Sequence, residues 1–341
     1  MSAEAGPGAE AGPKKSAFVA VVGRPSVGKS TLVNAICGGK VAIVSPVPQT
    51  TRNAIRGICH ADRGQLVFVD TPGRHRSDKK LNRKLTSVSD RSMGESDLIL
   101  YVLDAARPPG PEEEAVAAAL APFAGKIVAA INKIDSKGAD VEGIRVFLRD
   151  HLSPAGNTAI DNAAVSPAPA LLAPPPVEIS ALKQQGLATL LSLLFDLAPE
   201  GEPFYPADFY TDQEVSFRIA EIIREKAIAR LREELPHAIY VEVADMEFRD
   251  PPAGNTVDAS ASASGNAVPR RLWVRAFIIT ERESQKGMVV GKGGAMIKAI
   301  RQAAQRDLDR IFEWKINLDL RVKTSGDWRH NDNLLKRLID R

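Results

Sequence analysis

The stretch GRPSVGKS, Gly23 to Ser30, constrains this chain more than any other in its 341 residues. It fits the pattern G-x-x-x-x-G-K-[ST] and lies between an apolar run, FVAVV, and a helical pattern, STLVNAI. That order demands a strand ending in a tight turn that opens a helix. Gly23 and Gly28 let the turn through Arg24, Pro25, Ser26 and Val27 fold its backbone around phosphate oxygens. The helix starting at Lys29 and Ser30, with Thr31 next, points its positive end at that charge. Lys29 can reach β- and γ-phosphates, and the Ser30 hydroxyl can ligate Mg²⁺. The cradle does not name the base.

Asn132-Lys133-Ile134-Asp135 follows the apolar run KIVAAI, where a loop at the carboxyl end of a strand would meet a ligand. A carboxylate at Asp135 can accept from the N1–H and exocyclic amine of guanine, whereas adenine would face it with an acceptor. Asn132 would tie this loop to the cradle, and the Lys133 stem would cover the purine. Asp70-Thr71-Pro72-Gly73 ends the run QLVFVD: Asp70 can hold Mg²⁺ through water, and the Gly73 N–H can sense a γ-phosphate. In PQTTR, Thr50 or Thr51 would complete the metal shell, and Thr51 is the choice made here. Ser180-Ala181-Leu182 sits where a backbone N–H could contact the guanine oxygen.

Between about residues 16 and 198, the apolar runs AFVAVVG, NAIRGICHA, QLVFVDTPG, DLILYVLDA, KIVAAINKID and VEIS alternate with helical patterns. This predicts an α/β domain with a mainly parallel sheet covered on both faces. The tail 1–15 is too rich in Ala and Gly to fold, and the proline- and alanine-rich insertion at about 153–176 reads as extended. Residues 199–211 read as a linker whose aromatics dock on a neighbour. Residues 212–341 then predict a smaller α+β domain in the order helix, strand, strand, helix, helix, strand. A polar low-complexity loop at about 250–269 separates its first two strands and is expected to be disordered.

Charge divides along the chain. From Arg270 to Arg341 there are 17 Lys/Arg against 9 Asp/Glu, and elsewhere 28 against 33. The basic end suits a polyanionic partner or merely solvated helix faces. Within it, Gly291-Lys292-Gly293-Gly294 opens a helix, a G-x-x-G turn that lets backbone approach a strand of phosphates. Lys286, Lys292, Lys298 and Arg301 would add charge around that turn. Ile297, Ile300 and LWVRAFII would wall a groove for unstacked bases or simply fill the core, and Trp273 and Trp328 would stack bases or pack.

Several classes are excluded. No apolar run approaches the roughly 18 residues of a membrane span. The amphipathic segment GLATLLSLLFDLAP most simply packs on the sheet, with a membrane-surface role the minor alternative. The first residues lack the apolar core of a secretory signal, Cys37 and Cys59 give no disulfide framework, and no two of the five histidines stand at metal spacing.

The nucleotide motifs in this order look like a Ras-type GTPase domain, and the second unit looks like a type II KH domain. Together GRPSVGKSTLVNAI, PQTTR, DTPG, NKID, ISAL, QKGMVVGKGGAMIK and DWR resemble the Era family over roughly residues 16–341. The resemblance implies a bacterial GTPase that binds near the 3′ end of 16S ribosomal RNA and assists maturation of the 30S subunit. It implies Mg²⁺, with GTP and GDP as substrate and product, and Lys29, Thr51 and Gly73 in hydrolysis. It also implies a cytoplasmic protein, reported in the family at the inner membrane face, and a monomer is expected. Two departures stand out. Ser26 replaces the Asn that helps related GTPases hold K⁺, which puts potassium stimulation in doubt. Arg74 stands where the family tends to carry a hydrophobic residue and Ras-like enzymes a water-orienting Gln, so a differently behaving switch loop and slow intrinsic turnover are expected, with Arg74 a charge donor or a solvated loop residue. A nucleic-acid module with a merely structural nucleotide pocket and a membrane-linked signalling GTPase are the competing readings.

Overall fold

The computed structural model describes residues 13–45, 47, 50–73, 80–123, 125–152, 174–249, 271–326 and 328–339. The chain forms two compact units, one of residues 1–42, 51–212 and 339–341 and the other of 43–50 and 213–338.

In the first unit, apolar runs become the strands β1 (Lys15–Val22), β2 (Ile55–Ala61), β3 (Gly64–Asp70), β4 (Leu98–Asp104), β5 (Ile127–Asn132) and β6 (Val177–Glu178). They form one sheet in the order β2-β3-β1-β4-β5-β6, parallel throughout except for β2 against β3. The helices are α1 (Lys29–Cys37), α2 (Lys80–Glu95), α3 (Pro111–Leu120), α4 (Val141–Leu152) and α5 (Leu187–Leu197). Strand β4 is buried at every residue, with Ile99, Tyr101 and Leu103 in the same cluster as α3 and α4. Continuous hydrophobicity is what a strand covered on both faces requires. Helix α3 starts with Pro111 and three glutamates, which suit its fixed φ and positive end. Helix α5, expected to pack on the sheet, buries Leu187, Leu190, Leu194 and Phe195.

Strand β1 begins at Lys15, inside the segment read as an unfolded tail. Its pairing explains the difference: Lys15 bridges to Glu200, and the Ser16 N–H donates to the Pro199 carbonyl at 3.1 Å. The segment 199–212 runs along the first unit. Buried Gln65 accepts from the Phe204 and Tyr205 N–H groups at 2.8 and 3.0 Å, and Phe204 lies 4.6 Å from Phe18 between ring centroids. Most of the insertion, the polar loop and Arg74 lie outside the described residues.

The second unit contains α6 (Val215–Ile228), α7 (Leu235–Ala238), β7 (Tyr240–Arg249), β8 (Arg271–Thr280), α8 (Glu283–Val290), α9 (Ala295–Ile311), β9 (Lys315–Thr324) and α10 (Asp332–Ile339). Its sheet runs β7-β8-β9, with β8 antiparallel to β7 and parallel to β9. The short helices α7 and α10 add to the expected order. Leu272, Val274, Ala276 and Ile278 of β8 point into the core with Ile300, and Ile297 packs against it. Of the two readings, the core one holds for Leu272, Val274, Ala276, Ile278 and Ile300, while Ile297 is half-buried. β8 is the central strand, so its period-2 apolar set meets the helices. Trp328 is core as well, 1% exposed, with its indole N–H donating to the Ala238 carbonyl at 3.2 Å. Trp273 lies instead between Arg249 and Arg275, whose guanidinium carbons are 4.1 and 4.7 Å from its ring centre.

Candidate functional site

Strand β1 stops at Val22, and the chain turns through 23–28 into α1. The turn needs its glycines. Gly23 has φ +156° and Gly28 φ +102°, and a Cβ at either would collide with the Val102 carbonyl oxygen or the Asn132 amide respectively. Ser26 also adopts a left-handed φ of 64°, uncommon for a residue with a side chain.

Lys29 is buried, and its Nζ donates to the carbonyls of Gly23 and Arg24 at 2.9 and 3.0 Å. Burial lowers its pKa to about 8, against the opposing charges of Asp70 and Glu113. The Ser30 hydroxyl donates to Asp70 Oδ2 at 2.6 Å and stands 3.1 Å from Thr51 Oγ1, which itself lies 3.3 Å from Asp70. Thus Thr51 reaches this cluster, whereas the Thr50 hydroxyl donates to the Val47 carbonyl at 2.6 Å. Asp70 is fully buried, its second oxygen has no hydrogen-bond partner, and burial raises its pKa. One carboxylate and two hydroxyls, all oxygen, with an orphaned carboxylate oxygen, fit a small hard dication such as Mg²⁺. Gly73 packs against Pro25 of the cradle. The Thr71 side chain faces away, donating to the Val21 carbonyl at 2.8 Å, and Pro72 is buried.

The base loop is joined to the cradle as expected. Asn132 Nδ2 donates to the Val27 carbonyl at 2.8 Å, and its Oδ1 accepts from the Ala181 N–H at 2.9 Å. That second bond ties the Ser180-Ala181-Leu182 segment to the same asparagine. The Ser180 hydroxyl accepts from the Lys183 N–H at 3.1 Å, while Leu182 is 75% exposed. Lys133, in a left-handed conformation with φ 66°, sends its Nζ to the Ser26 carbonyl at 2.8 Å. Asp135 is exposed on the loop beyond β5, and Thr31 is half-buried in α1.

Beneath the cradle lies a buried polar group that the sequence reading did not single out. Arg24 points inward, 2.9 Å from Glu113, and donates to the carbonyls of Arg107 and Pro108 at 3.0 and 3.2 Å. Glu113 also accepts from the Tyr101 hydroxyl at 2.6 Å. Both carboxylate and phenol titrate upward because burial disfavours their charged forms. A glutamate three residues into a helix reads from sequence as an ordinary N-terminal charge. Only its partner on a distant loop distinguishes it.

In the second unit, Gly291, Gly293 and Gly294 have φ of 72°, 58° and 77°. They form a sharp turn between α8 and α9 that leaves Lys292 and Lys298 exposed and Arg301 half-buried. Lys286 is paired with Glu283 at 2.7 Å, and Met288 beside the turn is 59% exposed.

Comparison with known proteins agrees with both halves. A family model described as a 50S ribosome-binding GTPase matches residues 18–133, and a KH-domain model matches residues 254–329. GTPase Era of Treponema denticola is 44% identical over 323 residues, covering 95% of this chain and 99% of that one. GTPase Era of Treponema pallidum is 45% identical over 330 residues, covering 95% and 97%. Among solved structures, Era in complex with MgGDPNP and nucleotides 1506–1542 of 16S ribosomal RNA is 32% identical with a TM-score of 0.80, over 96% of this chain and 98% of that one. An Aquifex aeolicus Era variant bound to GDP and aluminium tetrafluoride is 31% identical with a TM-score of 0.79, over 95% and 98%. A nucleotide cradle on a mainly parallel sheet, a G-x-x-G turn in a separate α+β unit, and relatives alike over nearly their whole length lead to one conclusion: this chain belongs to the Era family of GTPases.

Proposed function

We propose that this chain hydrolyses GTP and uses that cycle to govern how its second unit holds the 3′ region of 16S ribosomal RNA during 30S subunit assembly. The observation that carries the reading is the convergence of Lys29, Ser30, Thr51 and Asp70 beside a base loop tied by Asn132 to Val27. Water attacks the γ-phosphorus, the bond to the β–γ bridging oxygen breaks, and GDP and phosphate leave. Mg²⁺, when bound, neutralises charge between the β- and γ-phosphates; Ser30, Thr51 and, through water, Asp70 would hold it. Lys29 supplies a cation to the same oxygens, and the Gly73 N–H meets the γ-phosphate. Asp135 selects guanine by accepting its two donors. With Arg74 in place of a water-orienting Gln, intrinsic turnover is slow, and the short Ser26 hydroxyl is a poorer ligand for K⁺ than the Asn it replaces.

RNA binding rests on Gly291, Lys292, Gly293 and Gly294, with Lys286, Lys298 and Arg301 as supporting cations. The Era of known structure that is bound to nucleotides 1506–1542 of 16S ribosomal RNA supports the choice of RNA. By the family resemblance this chain works as a cytoplasmic monomer with peripheral attachment to the inner membrane face; no helix among the described residues is long and apolar enough to cross a membrane. The test is GTP against ATP turnover, together with binding of a 16S 3′ fragment in GDP and in a non-hydrolysable GTP analogue. Equal RNA affinity in the two nucleotide states would contradict the coupling.

A further inference from the structure

Asp104 ends β4 with a side chain wholly removed from solvent. A buried carboxylate is costly unless every oxygen is engaged. Here both are. Oδ1 accepts from the Ala106 N–H at 3.0 Å, and Oδ2 accepts from Lys133 Nζ at 2.7 Å and Arg107 Nε at 3.1 Å. Its two cationic partners continue onto the cradle. Lys133 Nζ donates to the Ser26 carbonyl at 2.8 Å, and Arg107 Nη2 to the Pro25 carbonyl at 3.2 Å. Asp104 also sits in register with Asn132 across the parallel β4–β5 pair, so it lies beside the start of the base loop. One buried carboxylate therefore links two separate cradle residues to the residue whose stem covers the purine.

We infer that Asp104 is a positioning residue for base recognition, acting through Lys133. Lys133 holds a left-handed backbone conformation that a side-chain-bearing residue adopts at some cost, and its ammonium is clamped between Asp104 and Ser26. With both ends of the side chain fixed, the four-carbon stem is laid out in advance as one wall of the purine slot. Without the carboxylate, the stem regains its rotamers and must be ordered again each time a nucleotide binds. Ser26, itself in a left-handed conformation, would lose a carbonyl contact as Lys133 swings free. The inference rests on the guanine-nucleotide reading of this site.

The test uses the full-length chain and the dissociation rate of a fluorescent GDP from wild type, Asp104→Asn, Lys133→Met and the double variant. Asparagine keeps the shape and an acceptor for the Ala106 N–H while removing the charge that holds Lys133. The expected result is dissociation about tenfold faster for Asp104→Asn, with the double variant no faster than Lys133→Met alone, because the effect travels through that side chain. A rate for Asp104→Asn equal to wild type, or factors that multiply in the double variant, would overturn the proposal. If Asp104→Asn unfolds, Asp104→Ser, whose hydroxyl can still accept from Ala106, enters the same cycle with the same criteria. A wild-type chain that binds no GDP would overturn the nucleotide reading itself, an outcome distinct from the others.

Discussion

Asn132 Nδ2 lies 2.8 Å from the Val27 carbonyl oxygen, so the base loop and the phosphate cradle are held as one body. Gly28 makes this approach feasible, since a Cβ there would occupy the position of the Asn132 amide. Asn132 is 2% exposed and serves two backbone partners, Val27 and Ala181. Asn132→Ala would leave both without a side-chain partner, at about 2–4 kcal/mol. Denaturant unfolding should register that loss, and guanine-nucleotide affinity should fall more than tenfold. Unchanged affinity would mean the two loops are aligned by something else.

Lys29 gives a prediction with opposite signs for stability and binding. Its pKa is about 8 in the fold against 10.5 in a solvated side chain, chiefly because it is buried. The unfolded chain therefore holds more protons between those values, and this group favours folding increasingly as pH rises through the window. At pH 7 in EDTA, Lys29→Met should raise stability by about 3 kcal/mol at most, while abolishing GTP binding. The stability advantage should shrink by pH 9.5. Urea midpoints for the two chains at both pH values provide the check.

The Arg24–Glu113 pair is nearly sealed from solvent, at 2.9 Å. Removing one charge strands the other. Glu113→Gln is expected to cost about 3–5 kcal/mol, and a double change to Arg24→Met with Glu113→Leu should recover much of it. If the double variant is no better than the single one, the ion pair is not what makes Glu113 important.

In the second unit, Lys292 stands exposed on a turn that makes few demands on it. Lys292→Glu should leave thermal unfolding unchanged, yet weaken binding to a 16S 3′ fragment about tenfold at 0.1 M salt. The slope of log affinity against log salt should become shallower by about one. A weakened affinity with an unaltered slope would show that Lys292 does not meet a phosphate.

How much of this was legible follows from the range of each interaction. The six-strand α/β architecture, the G-K-S turn and the Asn132 tie could all be read from the chain, because hydrophobic period and motif spacing are local properties. The parallel β-rich pattern needs only continuous apolar runs separated by helical ones. What lay beyond reach were partners brought together by the sheet. The Arg24 side chain anchors on Glu113 beneath the cradle, a pairing that spans distant segments. The Ala181 N–H is held by Asn132. The apolar run of β8 read as groove wall or core, and its central place in the sheet decides for the core.

Composition and order along the chain determined by themselves that there are two folding units, a glycine-lysine-serine turn between a strand and a helix, and a second glycine turn opening a helix in a basic unit. Only the tertiary structure decided which charges are buried, which donors are already taken and that Asp104 clamps Lys133. The reason is physical. Burial and hydrogen-bond satisfaction depend on what packs against a group, and neighbours that far apart in sequence leave no trace in local pattern.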